Sequence, residues 1–395
     1  MEMQKKYIEL IPEISCVGCQ ACLNVCPSSA ISMVENGTAF LFPKIKSSKC
    51  IDCGLCKKVC PAINEYLFEQ LDDPICYAAW SNDNENIFSS SSGGVFSELA
   101  SLIIRKKGVV YGAAFDDNFN LKHIACNSID NLNLLRGSKY LQSDINNTYK
   151  QTKIKLKDNV PVLFCGTPCQ VAGLNNFLQK DYSNLITCDF ICHGVPSQQI
   201  FSDYIKELEI KNNSKVSSFY FRRKKEGWKN FNFDIQYESG LKEKIPFTTN
   251  SFMKGFLNDL YLRPSCYNCK YSRIPRVADI TLGDFWGVWD FYPHLYNKMG
   301  VSAILINSSK GKFLFSEIQT NLFFEQVSLD SIIKGNPSII SSVKLPKKRK
   351  QFYKLYNQGK TITEIMAICF PPPTYLDKLK WSINRRINKW RKIKK

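Results

Sequence analysis

The sequence contains no long apolar run. Nowhere do about 18 uninterrupted apolar residues occur, which is roughly what a transmembrane helix needs, so we predict no membrane-spanning segment. The N-terminal segment MEMQKKYIELIPEI also lacks the apolar core of a secretory signal peptide. We therefore expect a cytoplasmic protein. In that reducing compartment the 17 cysteines are not expected to form a disulfide framework.

The positive charge is unevenly distributed along the 395 residues. The net charge is +18, and residues 344–395 contribute +14 of it through sixteen Lys or Arg and two acidic residues. Residues 1–343 therefore carry only about +4 (18 minus 14), which describes a near-neutral body with a basic tail. No groove-reading motif accompanies the tail, so nucleic acid is not expected as a partner.

Cysteine is abundant and clustered near the N-terminus. The segments CVGCQACLNVCP (from residue 16) and CIDCGLCKKVCP (from residue 50) share the spacing C-x-x-C-x-x-C-x-x-x-C-P. In this bacterial ferredoxin pattern, three cysteines of a run bind one 4Fe-4S cluster and the fourth binds the other. The rule assigns eight ligands to two clusters: Cys16, Cys19, Cys22 and Cys60 to the first, and Cys50, Cys53, Cys56 and Cys26 to the second.

A structural zinc site is the alternative for these runs, although zinc rarely uses four cysteines at this spacing. Between the runs, the segment AISMVENGTAFLFPKIKSSKC predicts two short strands joined by a turn at Asn36-Gly37.

From about residue 74 the sequence predicts alternating strands and helices. SSSSGGVFSELASLIIRKKGVVYGAAFD reads as a Ser/Gly loop, an amphipathic helix and a strand over about 109–115. Ser92, Gly93 and Gly94 would lie at the helix N-terminus, where free backbone N–H groups suit a phosphate. An ordinary serine cap with a glycine entry explains the same residues.

Three further segments place cysteines after predicted strands: NVPVLFCGTPCQVAGLNNFL, NLITCDFICHGVPS and CYNCKYSRIPRVADITLGDFWG. Ligands of open α/β sheets bind beyond the carboxyl ends of the strands, so we expect thiols in that crevice. A third four-thiolate site could form from Cys169, Cys192, Cys266 and Cys269. The alternatives are a zinc site at Cys266/Cys269, and inert buried thiols at Cys165 and Cys188.

Five segments occur in this order: SSGGVFSEL, RGSKYLQS at 136–143, CGTPCQVAGL, DFICHGVPS, and CYNC followed by ADITLGDFWG. Together they resemble the beta subunit family of coenzyme F420-dependent hydrogenases and dehydrogenases. Plant hydroxymethyl-chlorophyll reductase is similar to this family. With the ferredoxin runs the five segments span about residues 14–290. The resemblance implies an iron–sulfur flavoprotein whose core binds FAD and one further 4Fe-4S cluster. It implies these ligands for the third cluster: Cys169, Cys192, Cys266 and Cys269.

The resemblance also implies flavin contacts in three loops: Ser92, Gly93 and Gly94; Ser138, Lys139 and Tyr140; and Gly166, Thr167 and Pro168. A lysine near a flavin would stabilise a reduced ring or a phosphate, whereas a surface lysine is the plain alternative for Lys139. The acceptor varies within the family between a deazaflavin and a tetrapyrrole, and no motif here selects one.

We predict an α+β and α/β multidomain fold with three parts. Residues 1–70 form a small ferredoxin-like domain with two 4Fe-4S clusters, and residues 344–395 form a basic helical tail. Between them, residues 74–343 form an α/β flavin- and cluster-binding core, with an N-terminal part at about 74–150 and a C-terminal part at about 151–343. His193 and Asp284 are the candidates for proton handling, with a satisfied core histidine and a turn-capping aspartate as alternatives.

The predicted function is electron transfer between the clusters and FAD to reduce or oxidise an organic small-molecule acceptor such as a deazaflavin coenzyme. We expect an electron-donor protein such as a ferredoxin as a partner. One alternative is a non-catalytic electron relay docked to a partner enzyme. Another is a membrane-associated partner in surface-polysaccharide assembly.

The tail supports several interpretations. Apolar residues repeat at helical spacing at Leu376, Leu379, Ile383, Ile387, Trp390 and Ile393. Such a helix could lie on the inner face of an anionic membrane, pack on the body with a solvated basic face, or attract an acidic electron donor.

Overall fold

The computed structural model describes residues 11–66 and 68–371, whose strands form three sheets. The N-terminal domain holds one antiparallel hairpin, β1 (Ile31–Glu35) and β2 (Leu41–Ile45), in which Ile31 lies opposite Ile45. Two short helices, α1 (Ala21–Val25) and α2 (Leu55–Lys58), follow the two cysteine-rich loops. The predicted strand–turn–strand unit between the cysteine runs is confirmed.

The main sheet has eight strands in the order β13-β3-β12-β11-β7-β6-β4-β5. Its four central strands β11, β7, β6 and β4 are parallel, while β5, β12 and β13 run antiparallel to their neighbours. The strands are β3 (Ile75–Ser81), β4 (Val109–Phe115), β5 (Leu121–Cys126), β6 (Val162–Cys165), β7 (Leu185–Phe190), β11 (Ile280–Asp284), β12 (Ser302–Ile306) and β13 (Leu322–Gln326).

Helices cover both faces of this sheet, because its central strands are apolar on both sides. Helices α4 and α10 pack in one apolar core, and α5 and α6 pack in another on the opposite face. The helices that accompany the sheet are α3 (Asn84–Ser89), α4 (Val95–Arg105), α5 (Thr148–Lys157), α6 (Pro168–Leu178), α9 (Val288–Phe291), α10 (Ser309–Ile318) and α11 (Leu329–Gly335).

A second, smaller layer combines a three-stranded antiparallel sheet with four helices around an aromatic-rich core. Its elements are α7 (Gln198–Asn212), β8 (Val216–Arg223), β9 (Asn232–Tyr237), β10 (Lys242–Pro246), α8 (Ser251–Leu257), α12 (Arg349–Asn357) and α13 (Ile362–Cys369). Phe352 and Ile365 are fully buried there, so the first part of the predicted basic tail packs into the body. The apolar repeat that begins at Leu376 lies outside the described residues, and the domain boundaries stay a prediction.

The predicted multidomain fold class is confirmed. The carboxyl ends of the parallel strands gather the predicted functional loops at one edge of the main sheet. Cys165 ends β6, Phe190 ends β7, and Asp284 ends β11 opposite Ser302, the first residue of β12. Within residues 11–66 and 68–371, no helix is long and apolar enough to cross a bilayer.

Candidate functional site

The four cysteines predicted to bind the first ferredoxin cluster line one cavity: Cys16, Cys19, Cys22 and Cys60. The loop before α1 coils tightly through the left-handed residues Gly18 (φ 67°) and Gln20 (φ 60°). Burial raises the pKa of the Cys19 and Cys22 thiols, and the neighbouring thiols raise it further. Because their pKa is raised, these thiols need a nearby positive charge to ionise, and bound iron would supply that charge.

The thiols of the second predicted set lie around the same small domain. Cys26, Cys50 and Cys56 pack against its apolar core, whereas Cys53 is exposed. Burial would raise the pKa of Cys26, but hydrogen bonds outweigh it and the pKa is lowered; the Ala30 amide, for example, donates to the Cys26 Sγ at 3.2 Å. The second set therefore stands nearer to solvent than the first.

A second cavity, at the edge of the main sheet, is lined by the four core cysteines: Cys169, Cys192, Cys266 and Cys269. Cys169 is the second residue of α6, whose start is fixed by Pro168 and by a capping box between Thr167 and Gln170. Cys192 follows β7, and Cys266 and Cys269 come from a 3-10 turn at Pro264–Asn268 and the residue after it. The fold thus brings together thiols from three separate segments of the sequence.

The core thiols are strongly disfavoured as isolated anions. Burial raises the pKa of Cys169 to about 12 and that of Cys266 to about 11, and it raises that of Cys192 well above its ordinary value. The other thiols of the set add to each of these shifts. No group of three or more His, Cys, Asp or Glu residues in the described ranges is arranged to hold a single metal ion. In a 4Fe-4S cluster each of the four thiolates binds a different iron, so the absence of a single-ion site does not bear on a cluster.

The two cavities share a wall. Gly173 lies one helical turn after Cys169, and a Cβ atom added there would stand 2.9 Å from the Cys19 Sγ. Four residues of helix rise about 6 Å, so a ligand candidate of the core set and one of the ferredoxin set are neighbours across α6. Val17 lines both cavities. Glycine at position 173 is what permits this close approach of the small domain to the core.

A group of polar residues, which we call the Arg222 cluster, lies at the same edge of the sheet and comprises Ser92, Ser138, Tyr140, Arg222 and Asp284. The Arg222 Nη1 donates to the Asp284 Oδ2 at 2.5 Å, and the guanidinium stacks over Phe231 with 4.7 Å between its carbon and the ring centre. The Arg222 side chain is 2% exposed, and within the described part of the chain its Nε and Nη2 atoms form no hydrogen bond of ordinary geometry, although the Tyr140 hydroxyl interacts with the guanidinium. Burial raises the pKa of the Tyr140 hydroxyl, and the Arg222 charge opposes that shift.

Lys224 holds the loop that contains Ser92 in place through hydrogen bonds to the backbone. The Lys224 Nζ donates to three backbone carbonyl oxygens, those of Ile87, Ser92 and Met299, at 2.5–2.7 Å. Burial lowers the pKa of this lysine to about 7. The Ser138 amide and hydroxyl contact the Ser91 Oγ at 2.6 and 2.9 Å, so the two predicted flavin loops 92–94 and 138–140 meet.

The remaining residues of the predicted flavin set occupy different places. Thr167 and Pro168 line the core thiol cavity. The Lys139 Nζ donates to the carbonyl oxygens of Leu134 and Arg136, and burial lowers its pKa to about 7. The Gly166 amide donates to the Cys188 carbonyl at 3.1 Å, next to the Cys165–Cys188 pair of adjacent strands. Gly93 packs against the main chain of β3 and β12.

The two candidates for proton handling have charged partners. The His193 Nε2 lies 2.6 Å from the Asp259 Oδ1, and His193 lines the core thiol cavity. Asp284 is occupied by its ion pair with Arg222 and by the Trp228 Nε1, which donates to the Asp284 Oδ1 at 2.9 Å. His193 therefore faces the core thiol cavity, whereas both carboxylate oxygens of Asp284 are engaged by Arg222 and Trp228.

Sequence reasoning missed four buried cations near these sites: Arg222, Lys224, Arg263 and Arg276. Each is at most 8% exposed. Little in the sequence marks these cations as buried. Arg222 and Lys224 lie in the basic run RRKKEG, which predicts a solvated turn, and Arg263 lies three residues before Cys266.

Comparison with protein families assigns two parts of the chain. Residues 15–63 match the 4Fe-4S dicluster domain, and residues 161–331 match the family described as the C terminus of the coenzyme F420 hydrogenase/dehydrogenase beta subunit. A search of curated proteins finds no match. Among solved structures, the chain is similar to a chain of the xenon-derivatised F420-reducing NiFe hydrogenase complex from Methanosarcina barkeri, at 16% identity and a TM-score of 0.47, covering 74% of this chain and 94% of that one.

The predicted resemblance is confirmed over the ferredoxin runs and the C-terminal part of the core. Iron–sulfur electron transfer of the oxidoreductase type follows from these two assignments together. The chain therefore carries a 4Fe-4S dicluster domain, and over residues 161–331 its core is similar to the C terminus of the coenzyme F420 hydrogenase/dehydrogenase beta subunit.

Proposed function

We propose that this chain is an iron–sulfur flavoprotein oxidoreductase that passes electrons between its ferredoxin-type clusters, a third 4Fe-4S cluster in the core, and FAD. Its acceptor or donor would be an organic small molecule such as a deazaflavin coenzyme. The observation that carries the proposal is the cavity lined by Cys169, Cys192, Cys266 and Cys269, one helical turn of α6 away from the Cys19 thiol of the dicluster domain.

The chemistry of the donor set suits a cluster. Four thiols are the soft ligands that iron–sulfur cubes prefer, and Arg263 and Arg276 line the same cavity with positive charge. The α6 wall keeps the two thiol sets adjacent, so an electron would cross only a short protein-filled gap. The Tyr149 hydroxyl, which donates to the Gln170 carbonyl at 2.7 Å, fixes the helix at that point.

The Arg222 cluster supports the FAD assignment. The Arg222 Nε and Nη2 atoms carry three N–H groups that form no hydrogen bond of ordinary geometry within residues 11–66 and 68–371, although the Tyr140 hydroxyl interacts with the guanidinium. A buried polar group left unsatisfied carries a desolvation penalty of about 1–3 kcal/mol, and an anionic phosphate or flavin oxygen is an acceptor that would remove it. Ser138 and Tyr140 would add hydroxyl contacts, and Lys224 keeps the Ser92 loop in shape. FAD, when bound, supplies the exchange between one-electron and two-electron transfer.

The remaining assignments follow from exposure. Cys53 is the exposed member of the second ferredoxin set, so we propose that an electron-donor protein such as a ferredoxin approaches there. His193, paired with Asp259 and half exposed beside the core cavity, is proposed to hold a proton. A cytoplasmic location remains part of the proposal.

The metal content tests the core cluster. An anaerobic preparation of the full chain is expected to contain about twelve irons, four for each of three clusters, and one FAD. Cys192→Ser is expected to lose about four irons, whereas Cys188→Ser, which changes a buried cysteine on the preceding strand outside the cavity, is expected to keep about twelve. A wild-type content of about eight irons, or no loss in the Cys192 variant, would refute the third cluster.

A pair of conservative variants tests the flavin site. Arg222→Lys keeps a positive charge beside Asp284 but removes the guanidinium fork, so FAD affinity is expected to fall about tenfold or more. Arg223→Lys, one residue along, alters a guanidinium that stacks on Tyr220 and is expected to leave affinity unchanged. Equal FAD affinity in both variants would contradict the assignment. A loaded protein that reduces artificial acceptors but no organic substrate would indicate an electron relay instead.

A further inference from the structure

We infer that Arg263 is a counter-ion shared by the first ferredoxin cluster and the core cluster, and that its charge sets the reduction potentials of both. The inference rests on the proposed function, because it requires the core cluster. Arg263 belongs to neither thiol set and lies between them.

The guanidinium is built into the boundary between the small domain and the core. Its Nε donates to the Cys16 carbonyl at 2.7 Å, its Nη2 donates to the Leu41 carbonyl at 2.9 Å, and its Nη1 donates to the Gln142 Oε1 at 2.9 Å. The Nη2 also lies 3.6 Å from the Cys16 Sγ. Arg263 is 1% exposed, so these contacts are shielded from water.

The chain holds this side chain rigidly. A Cβ atom at Gly18, whose φ is 67°, would stand 2.6 Å from the Arg263 Nη1, so only glycine leaves room for the guanidinium beneath the cysteine loop. Phe42 stacks against the guanidinium with 4.5 Å to the ring centre. A charge fixed in this way needs little reorganisation when a neighbouring group changes its charge.

Arg263 differs from the other buried arginines in lacking a carboxylate. Arg222 pairs with Asp284 and Arg276 pairs with Asp189, but no Asp or Glu of residues 11–66 or 68–371 forms an ion pair with Arg263. A buried charge without a partner is costly, so a partner of another kind is expected.

Thiolates are the available anions on both sides. Cys16 lies on the ferredoxin side at 3.6 Å. On the core side, Arg263 lines the same cavity as Cys169 and Cys266. The thiolate ligands of the two clusters therefore supply the negative charge that no Asp or Glu of the described residues provides to Arg263.

The consequence concerns redox energetics. When a cluster accepts one electron from a reductant, its negative charge increases by one, and a nearby fixed cation stabilises the reduced form. Arg263 should therefore raise the reduction potential of both adjoining clusters and leave the more distant Cys26/Cys50/Cys53/Cys56 cluster unaffected.

Potentiometric titration of the anaerobic full chain, followed by electron paramagnetic resonance with dithionite as the reductant, tests this. Arg263→Met is expected to lower each of the two reduction potentials by about 59 mV, which corresponds to a tenfold fall in the equilibrium constant for one-electron reduction. The second ferredoxin cluster serves as an internal reference. Arg263→Gln removes the charge but keeps an amide donor, and is the alternative if the Met variant does not fold.

Two controls separate charge from structure. Lys270→Met removes an exposed cation whose Nζ donates to the Ala62 carbonyl at the same boundary, and a much smaller shift is expected because water screens it. Arg263→Lys keeps the charge and is expected to keep both potentials near those of the wild type.

Each outcome decides the inference. Unchanged potentials in a fully loaded Met or Gln variant would make Arg263 a structural brace only. A shift in one cluster alone would contradict a shared counter-ion. A wild-type protein with about eight irons would refute the proposed core cluster itself, and with it the core half of the inference.

Discussion

The buried ion pair between Asp189 and Arg276 predicts a large and specific cost for Asp189→Asn. The Arg276 Nη2 lies 3.0 Å from the Asp189 Oδ2, and the two side chains are 2% and 0% exposed. Arg276 also donates to the Tyr271 carbonyl at 2.8 Å. Asparagine keeps the size of the side chain but removes its charge, so Arg276 would remain as an uncompensated buried cation.

The magnitude follows from that burial. Removing one partner of a buried ion pair costs about 3–5 kcal/mol, a large fraction of the roughly 5–15 kcal/mol that stabilises a typical domain. The loss should also reach the core thiol cavity, because Arg276 lines it and Cys192 lies three residues after Asp189. We therefore expect reduced iron content together with reduced stability.

Anaerobic urea unfolding of the full chain measures the effect. Glu65→Gln is the matched control, since it breaks the Glu65–Arg273 pair, whose side chains are 32% and 38% exposed. Such surface pairs contribute only about 0–1 kcal/mol.

A small cost for Asp189→Asn, below about 1 kcal/mol, would refute the reasoning. Burial raises the pKa of Asp189, and Arg276 opposes that shift. If burial prevailed and the acid were protonated at neutral pH, asparagine would replace a neutral group of equal size and the unfolding free energy would barely change.

Three further predictions concern other parts of the fold. Gly173→Val should destabilise the protein by about 2–3 kcal/mol and lower iron content, because its side chain would overlap Cys19; an unchanged urea midpoint would contradict the shared wall. Lys224→Met should cost about 2–4 kcal/mol in the same assay, since three buried carbonyls lose their donor, and FAD retention should fall with it. At Asp116, burial would raise the carboxyl pKa, but hydrogen bonds led by that from Lys122 lower it to about 2. The folded pKa lies below the unfolded value, so the stabilisation is complete above about pH 4 and is lost as the pH falls through 2; because solvent screens this pair, it amounts to about 1–2 kcal/mol at most. Acid titration of Asp116→Asn should show a flatter loss of stability over that window, and an identical curve would contradict the assignment.

Features that depend on local spacing could be predicted from the amino-acid sequence. The C-x-x-C-x-x-C runs confine three sulfurs to one tight loop, so the first ferredoxin thiol set was predictable in full, including Cys60 from the second run. Helix α6 and the hairpin of β1 and β2 were predictable because their caps and turns are contiguous in the chain. The core cysteines could be proposed as a set from their positions after predicted strands, but only the family resemblance favoured that set, since Cys192 and Cys269 are 77 positions apart (269 minus 192) and no spacing rule joins them.

Which charges are buried, and which groups they contact, became known from the folded structure. Arg222, Lys224 and Arg263 look like ordinary surface cations in the sequence, because exposure is a property of how layers pack and not of local composition. The contact between Gly173 and Cys19, which places the two thiol cavities side by side, likewise joins distant segments. Proximity between groups far apart in the chain is fixed by packing, and the electrostatics of this site follow from that proximity.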